Sequence, residues 1–233
     1  MKQIWIYTCA ISLISLFACQ QEELPSNNNV GYLSLENISI QSANVETITT
    51  RAVDTDLYVE ISGNGSTTTY NPGKTPSKIE LLKGEYTLKA YNAAYNEQSS
   101  WGNDNKGEAA FYIDNQSFTI EEGKVNYLSV EVPMTNIGVR LALPEGFSNW
   151  FNTYSFNVSA GNRSVSITNG ETVYFNTGQD ISYTLSAQNN DSEQKTDSKT
   201  ITKDQIAAGT IYVITYNYAT QSLQLLDAPT QQP

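Results

Sequence analysis

An all-β fold of two tandem β-sandwich domains is predicted by three features of the chain. Past residue 30, almost every apolar run alternates with polar residues, the period-2 pattern of half-buried strands. Turn formers separate these runs, at Gly63-Asn64-Gly65, Asn71-Pro72-Gly73, Gly161-Asn162 and Asn169-Gly170. The strand plan also repeats. Tyr58-Val59-Glu60-Ile61 leads, 28 positions after its tyrosine, to Tyr86-Thr87-Leu88-Lys89-Ala90, and Phe156-Asn157-Val158 leads, 27 positions on, to Tyr183-Thr184-Leu185-Ser186-Ala187. Phe118-Thr119-Ile120 precedes Leu128-Ser129-Val130 by ten positions, and Ile201-Thr202-Lys203 precedes Ile211-Tyr212-Val213 by the same ten. Two copies of one plan, each of roughly 100 residues, suit tandem sandwiches better than one large barrel.

In chain order, residues 1–18 have the layout of an export signal. Lys2 supplies a basic start, and residues 4–17 form an apolar stretch shorter than the roughly 20 residues that span a bilayer. The stretch ends in Leu16-Phe17-Ala18-Cys19, which resembles a bacterial lipobox. In that motif the chain is cut before the cysteine, whose thiol and new amino group are acylated, so Cys19 is the predicted lipidation site. The several acyl chains would bury enough CH₂ groups for a stable anchor in the outer membrane. Residues 19–30 carry Gln20-Gln21-Glu22-Glu23 and a Pro/Ser/Asn run, the composition of a flexible acidic tether. Such an acidic cluster resembles the surface-export signal of Bacteroidota lipoproteins, which favours the cell exterior over the periplasm. Alternating strands then fill residues 31–132 and 133–233. The boundary is set near Val132-Pro133-Met134, where a proline interrupts the pattern.

Composition narrows the function. The chain has 13 basic and 24 acidic residues, a formal charge of −11, which repels nucleic acid. Histidine is absent, which excludes Ser-His-Asp and Cys-His catalysis, histidine zinc sites and a histidine pH switch. Of the two cysteines, Cys9 belongs to the leader, so no internal disulfide is expected. Phosphate-binding loops and dinucleotide fingerprints are missing, and no cofactor is implied. No carboxylate pair sits in a setting that would mark a glycosidase. The expectation is a non-catalytic module.

Several segments together carry a resemblance. They are Gly31-Tyr32-Leu33-Ser34-Leu35, Thr50-Arg51-Ala52, Leu82-Lys83-Gly84-Glu85-Tyr86-Thr87-Leu88-Lys89-Ala90, Phe118-Thr119-Ile120-Glu121-Glu122-Gly123-Lys124-Val125, and the aromatic-rich Phe147-Ser148-Asn149-Trp150-Phe151-Asn152-Thr153-Tyr154-Ser155-Phe156. In this order they resemble the DUF4493 family of Bacteroidota surface lipoproteins, fimbrillin-like in layout. The resemblance implies a lipid-anchored, two-sandwich protein of the cell surface, acting in adhesion or fimbrial assembly with other fimbrial subunits as partners. In fimbrillins proper an arginine-specific protease cuts in the loop after the first strand, and a strand of another subunit fills the vacated groove. Arg51-Ala52 matches that position in spacing and type, so Arg51 is the candidate processing site. A lost edge strand would leave unpaired backbone groups and an apolar slot. The alternative is that Arg51 is a solvated loop residue and the first strand stays in place.

Two loops and two tryptophans complete the reading. Trp101-Gly102-Asn103-Asp104-Asn105-Lys106-Gly107-Glu108 is rich in oxygen ligands, but it lacks EF-hand spacing and contains Lys106, so a polar surface loop is expected rather than a metal site. Asn189-Asn190-Asp191-Ser192-Glu193 reads as a mobile hairpin tip. Trp101, in its Gly/Asn-rich loop, is the candidate for exposure and for glycan contact. Trp150 lies among Phe147, Phe151, Tyr154 and Phe156 and is expected in the core or between domains. A glycan-binding lipoprotein of a polysaccharide-uptake system is therefore the rival to the adhesion reading.

Overall fold

The computed structural model describes residues 29–41 and 56–226; Cys19, Arg51 and Ala52 lie outside the described residues. The described chain is all-β. The first half contains β1 (Val30–Gln41), β2 (Tyr58–Gly63), β3 (Ser66–Tyr70), β4 (Lys78–Leu82), β5 (Gly84–Tyr91), α1 (Ala93–Glu97), β6 (Tyr112–Ile120) and β7 (Val125–Pro133). The second contains β8 (Ile137–Leu141), α2 (Phe147–Trp150), β9 (Phe151–Ala160), β10 (Arg163–Ile167), β11 (Thr172–Phe175), β12 (Ile181–Asn189), β13 (Gln194–Ile201), β14 (Ile211–Asn217) and β15 (Ser222–Leu225).

These strands form four sheets, ordered β3-β2-β5-β6 and β4-β1-β7 in the first half, then β10-β9-β12-β13 and β11-β8-β14-β15 in the second. The second half repeats the first strand for strand, β8 standing for β1, and adds β15 at the end. The spacings of 28 and 27 residues join β2 to β5 and β9 to β12, antiparallel neighbours in both copies. In each copy the first and last strands of the plan also pair parallel, β1 with β7 and β8 with β14. A parallel neighbour needs a long crossover. Here the whole intervening sandwich is that crossover.

Alternation places the core. Val59 and Ile61 of β2, Tyr86, Leu88 and Ala90 of β5, and Phe118 and Ile120 of β6 point inward against Leu33, Leu35 and Ile38 of β1. The second core is assembled in the same way from Phe156 and Val158, Tyr183 and Leu185, and Ile137, Val139 and Leu141. The short turns follow local chemistry. Gly63 pairs with Ser66, leaving Asn64 (φ 48°) and Gly65 (φ 76°) as a two-residue hairpin in the left-handed region those residues tolerate. In β1 the inward residues slip from Leu35 to Ile38, because the register against β7 shifts between Leu35 and Asn37. Glu36, exposed, is the extra residue of a bulge.

The two cores are distinct clusters that meet at a shared joint. Ile211 of β14 belongs to the first core, and Tyr174 of β11 packs against it. Pro133 is the last residue of β7, so the proline ends the strand rather than breaking it. Beyond it, Asn136 is fully buried. Its side chain accepts from the Ala110 N–H at 2.9 Å and donates to the Glu108 carbonyl at 2.8 Å, while its own carbonyl accepts from Gly209 N–H at 2.9 Å. One residue thereby joins a loop of the first sandwich to the strand entry of the second.

Replacing Asn136 by Ala would leave the buried Ala110 donor and the part-buried Glu108 acceptor without their partner, at about 2–4 kcal/mol. The expected result for Asn136→Ala is a lower urea midpoint, with the single unfolding transition splitting into two as the sandwiches uncouple.

Candidate functional site

Two regions contain the residues that the sequence singles out. The first is the seat of β1. This strand is interior, antiparallel to β4 on one side and parallel to β7 on the other. The expectation that the first strand lies at a sheet edge is thereby corrected: β1 fills a slot between two others. Alternation in a sequence reports which face a residue takes, and says nothing of how many neighbours its strand has. Leu33 and Ile38 are fully buried, so the strand carries part of the first core. Its start is clamped by the turn between β6 and β7, where Tyr32 N–H donates to the Lys124 carbonyl and Gly123 N–H to the Val30 carbonyl, both at 2.9 Å. Gly31 sits so close to this turn that a Cβ there would collide with the Glu121 carbonyl. On the outer face the Lys78 ammonium stands over the Tyr32 ring, 4.4 Å from its centroid.

The second region is the loop at 101–107, and it bridges the sandwiches. Trp101 is half-buried beside the Arg163 guanidinium of β10, whose carbon lies 5.6 Å from the indole centre and 4.6 Å from that of Phe175. Arg163 donates from Nε to the Gly102 carbonyl at 3.0 Å, and from its two terminal nitrogens to the carbonyls of Tyr174 and Asn105. Burial presses the guanidinium pKa down, and the fork of donors is what keeps such a charge tolerable there. Asn103 Oδ1 accepts from Ser164 N–H at 2.9 Å, and Tyr174 N–H donates to the Lys106 carbonyl at 2.7 Å. Lys106 itself pairs with Glu171 at 2.5 Å. The oxygens of Gly102, Asn103, Asn105 and Lys106 in this loop are thus engaged by an arginine and by backbone donors. Among the described residues no group of three or more Asp, Glu, His or Cys side chains could hold a metal ion.

The tryptophans are placed opposite to expectation. Trp101 is packed in the bridge, whereas Trp150 is 65 % exposed. The reason is the strand period. Phe151 opens β9 pointing inward and stacks on Phe147 at 4.6 Å, so the residue before it is turned outward. The tip at 189–193, expected to be free, is tied down. Asn189 Oδ1 accepts from the N–H groups of Asp191 and Glu193, at 3.0 and 2.8 Å, and Asn190 Nδ2 donates to the Asn149 carbonyl at 2.8 Å. Arg163 and Asn136, the two residues that organise the joint, carry no signal in the sequence beyond standing near turns.

The model of a domain of unknown function, DUF4493, matches residues 29–228. The chain belongs to the DUF4493 family. No curated protein matches the DUF4493 chain. Among solved structures it is similar to a fimbrilin from Porphyromonas gingivalis at 10% identity and a TM-score of 0.47, over 83% of this chain and 96% of that one. A candidate adhesin from Bacteroides ovatus aligns at 9% identity and a TM-score of 0.46, over 89% and 95% of the two chains. A fimbrial assembly protein from Parabacteroides distasonis aligns at 11% identity and a TM-score of 0.42, over 84% and 98%.

The Lys106–Glu171 pair makes the bridge sensitive to acid. The Glu171 carboxyl is held down from 4.5 to about 2 by its hydrogen bond from Lys106, then by the Thr168 N–H. A lowered folded pKa means that the carboxylate stabilises the fold fully above pH 4.5, and that this contribution is lost as pH falls towards about 2. Thermal melts across that window are expected to show a shallower acid loss for Glu171→Gln than for the parent chain, with the two converging at the acid end.

Proposed function

We propose that the DUF4493 chain is a non-catalytic, lipid-anchored surface subunit acting in adhesion or fimbrial assembly, with β1 as an exchangeable strand. The observation that carries the reading is the position of β1. It is the first described strand, it lies between β4 and β7, and its chain connection to β2 runs through residues 42–57, which contain Arg51. A cut after Arg51 would leave β1 held by hydrogen bonds and side-chain packing alone. Its departure would open a slot with unpaired N–H and C=O groups on both walls and the apolar side chains of β5 and β6 as its floor. Such a slot demands a replacement strand, and the alternation of Leu33 and Leu35 defines what fits: an extended segment with apolar residues every second position.

Acylation at Cys19 would put the anchor on the same side of Arg51 as β1. One cut would then free the two-sandwich body, residues 52–233, from the membrane and open the groove together. The domains in this reading are the sandwiches of residues 31–132 and 133–233, facing the cell exterior. Among the described residues no helix is long and apolar enough to cross a membrane. Trp101 is assigned to the bridge rather than to glycan contact, since Arg163 lies over its ring.

Digestion of the folded mature protein with an arginine-specific protease, followed by size-exclusion chromatography, tests the proposal. The expected outcome is a first cut after Arg51, loss of the β1 fragment and a shift to higher mass, all abolished in Arg51→Gln. Resistance at Arg51, or a trypsin-like protease cutting first at Lys74 or Lys106, would sink the exchange mechanism. Metabolic labelling with palmitate, present in the parent chain and lost in Cys19→Ala, tests the anchor separately.

A further inference from the structure

We propose that Trp150 is the platform of a binding site for neutral oligosaccharides at the end of the second sandwich. The inference is independent of strand exchange, because β1 takes no part in the site. A tryptophan normally buries its large apolar surface and finds a partner for its indole N–H. Trp150 does neither: it is 65 % exposed, and no hydrogen bond or ring contact among the described residues engages it. It is nevertheless held in place. Phe147 and Phe151 on either side of it are buried and stacked, and Asn190 of the β12–β13 tip is bonded to the carbonyl of Asn149 at 2.8 Å. The ring is thus mounted on a short helix braced from both sides, which lowers the ordering cost of binding.

What surrounds the ring decides its occupant. Ser148, Asn149, Asn152 and Asn190 are all exposed, on the helix, at the start of β9 or on the tip bonded to the helix. Amide groups offer donors and acceptors together, as the alternating hydroxyls of a sugar require. The ring face supplies the apolar surface against which the C–H face of a pyranose packs. The buried core of a protein interface is more apolar than the surface at large and poor in charge, whereas the exposed residues next to Trp150 in the helix and on the tip are polar, with Asp191 and Glu193 following Asn190. Asp191, Glu193 and Glu145 nearby, with a chain charge of −11, disfavour phosphate, sulfate and uronate ligands. A neutral saccharide remains.

A second sugar unit would extend beyond the ring, along the surface of α2. On the N-terminal side of α2 a cleft of about 320 Å³ is lined by Glu145, Ser148, Tyr154 and Asn169 among others. On its other flank Tyr218, 39 % exposed, joins the aromatic cluster through Tyr216, which makes edge contact with Phe147 at 5.5 Å.

The test is a titration of the mature protein with maltohexaose, cellohexaose, xylohexaose, mannohexaose and laminarihexaose, followed by isothermal calorimetry and tryptophan emission. Saturable binding of at least one of them is expected, with a shift in emission that persists in Trp101→Phe. Trp150→Ala should bind about tenfold more weakly, the loss of one aromatic stack, with its melting temperature unchanged because the side chain is exposed. Asn190→Ala, which releases the brace but keeps the ring, should weaken binding less. Any of three results overturns the proposal: no binding across the set, equal binding by Trp150→Ala, or heparin binding in place of the neutral sugars. A self-association removed by Trp150→Ala, without sugar binding, would make a second copy the occupant and equally overturn it.

Discussion

A buried amide must find partners for both ends of its side chain, and Asn136 finds them on a different element from its own. Its Oδ1 and Nδ2 are bonded to the backbone at Ala110 and Glu108, and its carbonyl receives the N–H of Gly209. A short side chain that serves both the Ala110 donor and the Glu108 acceptor must carry an acceptor and a donor together, as the amide does. Aspartate would set a carboxylate against a carbonyl, and leucine would leave two backbone groups dry. The joint between the sandwiches is built outward from this point. Thr135 N–H bonds the Ala110 carbonyl at 2.7 Å, Gly138 N–H bonds that of Thr210 at 2.9 Å, and Ile211 enters the first core. The bridge of Trp101, Lys106, Glu171 and Arg163 lies alongside and braces the same joint. The pair of sandwiches is therefore tied by a buried amide, by a shared apolar residue and by a partly buried arginine, three contacts of different chemistry.

Much of this was legible in the chain. Runs such as Ile181-Ser182-Tyr183-Thr184-Leu185 lie in β12 with inward and outward residues as their polarity demands. The repeat found by spacing corresponds to equivalent strands in the two halves. What alternation cannot record is which strands lie side by side. Hence β1 reads equally well as an edge or an interior strand, and its parallel neighbour β7, more than ninety positions away, is invisible locally. The bulge at Glu36 breaks the very pattern that would have announced it. The two tryptophans show a further limit. Composition of the neighbourhood suggested that Trp150 was core and Trp101 was surface. The facing direction of Trp150 depends on where β9 begins, and the covering of Trp101 depends on an arginine more than sixty positions away.

The functional reading inherits this division. Cys19 and Arg51 were chosen on motif and spacing, and both belong to segments outside the described strands. The slot filled by β1, the braced Trp150 and the fork of Arg163 emerge only once strands are set beside one another. In the proposed reading, a surface subunit would act through such features: what its slots can accept, and what its exposed rings can touch.

The parallel pairing of β1 with β7 has a mechanical consequence. The two strands pair from Tyr32 opposite Val125 to Gln41 opposite Pro133, with the single bulge at Glu36 between. The N-terminal end of β1 points back toward any anchor, and the C-terminal end of β7 leads into the second sandwich. Tension between a membrane and a bound target would pull these two ends in opposite directions along the strand axis. The ladder is then loaded in shear, so its hydrogen bonds carry the force together rather than parting one after another. The same strand that a single proteolytic cut would release is, while the chain is intact, the one best arranged to resist being pulled out.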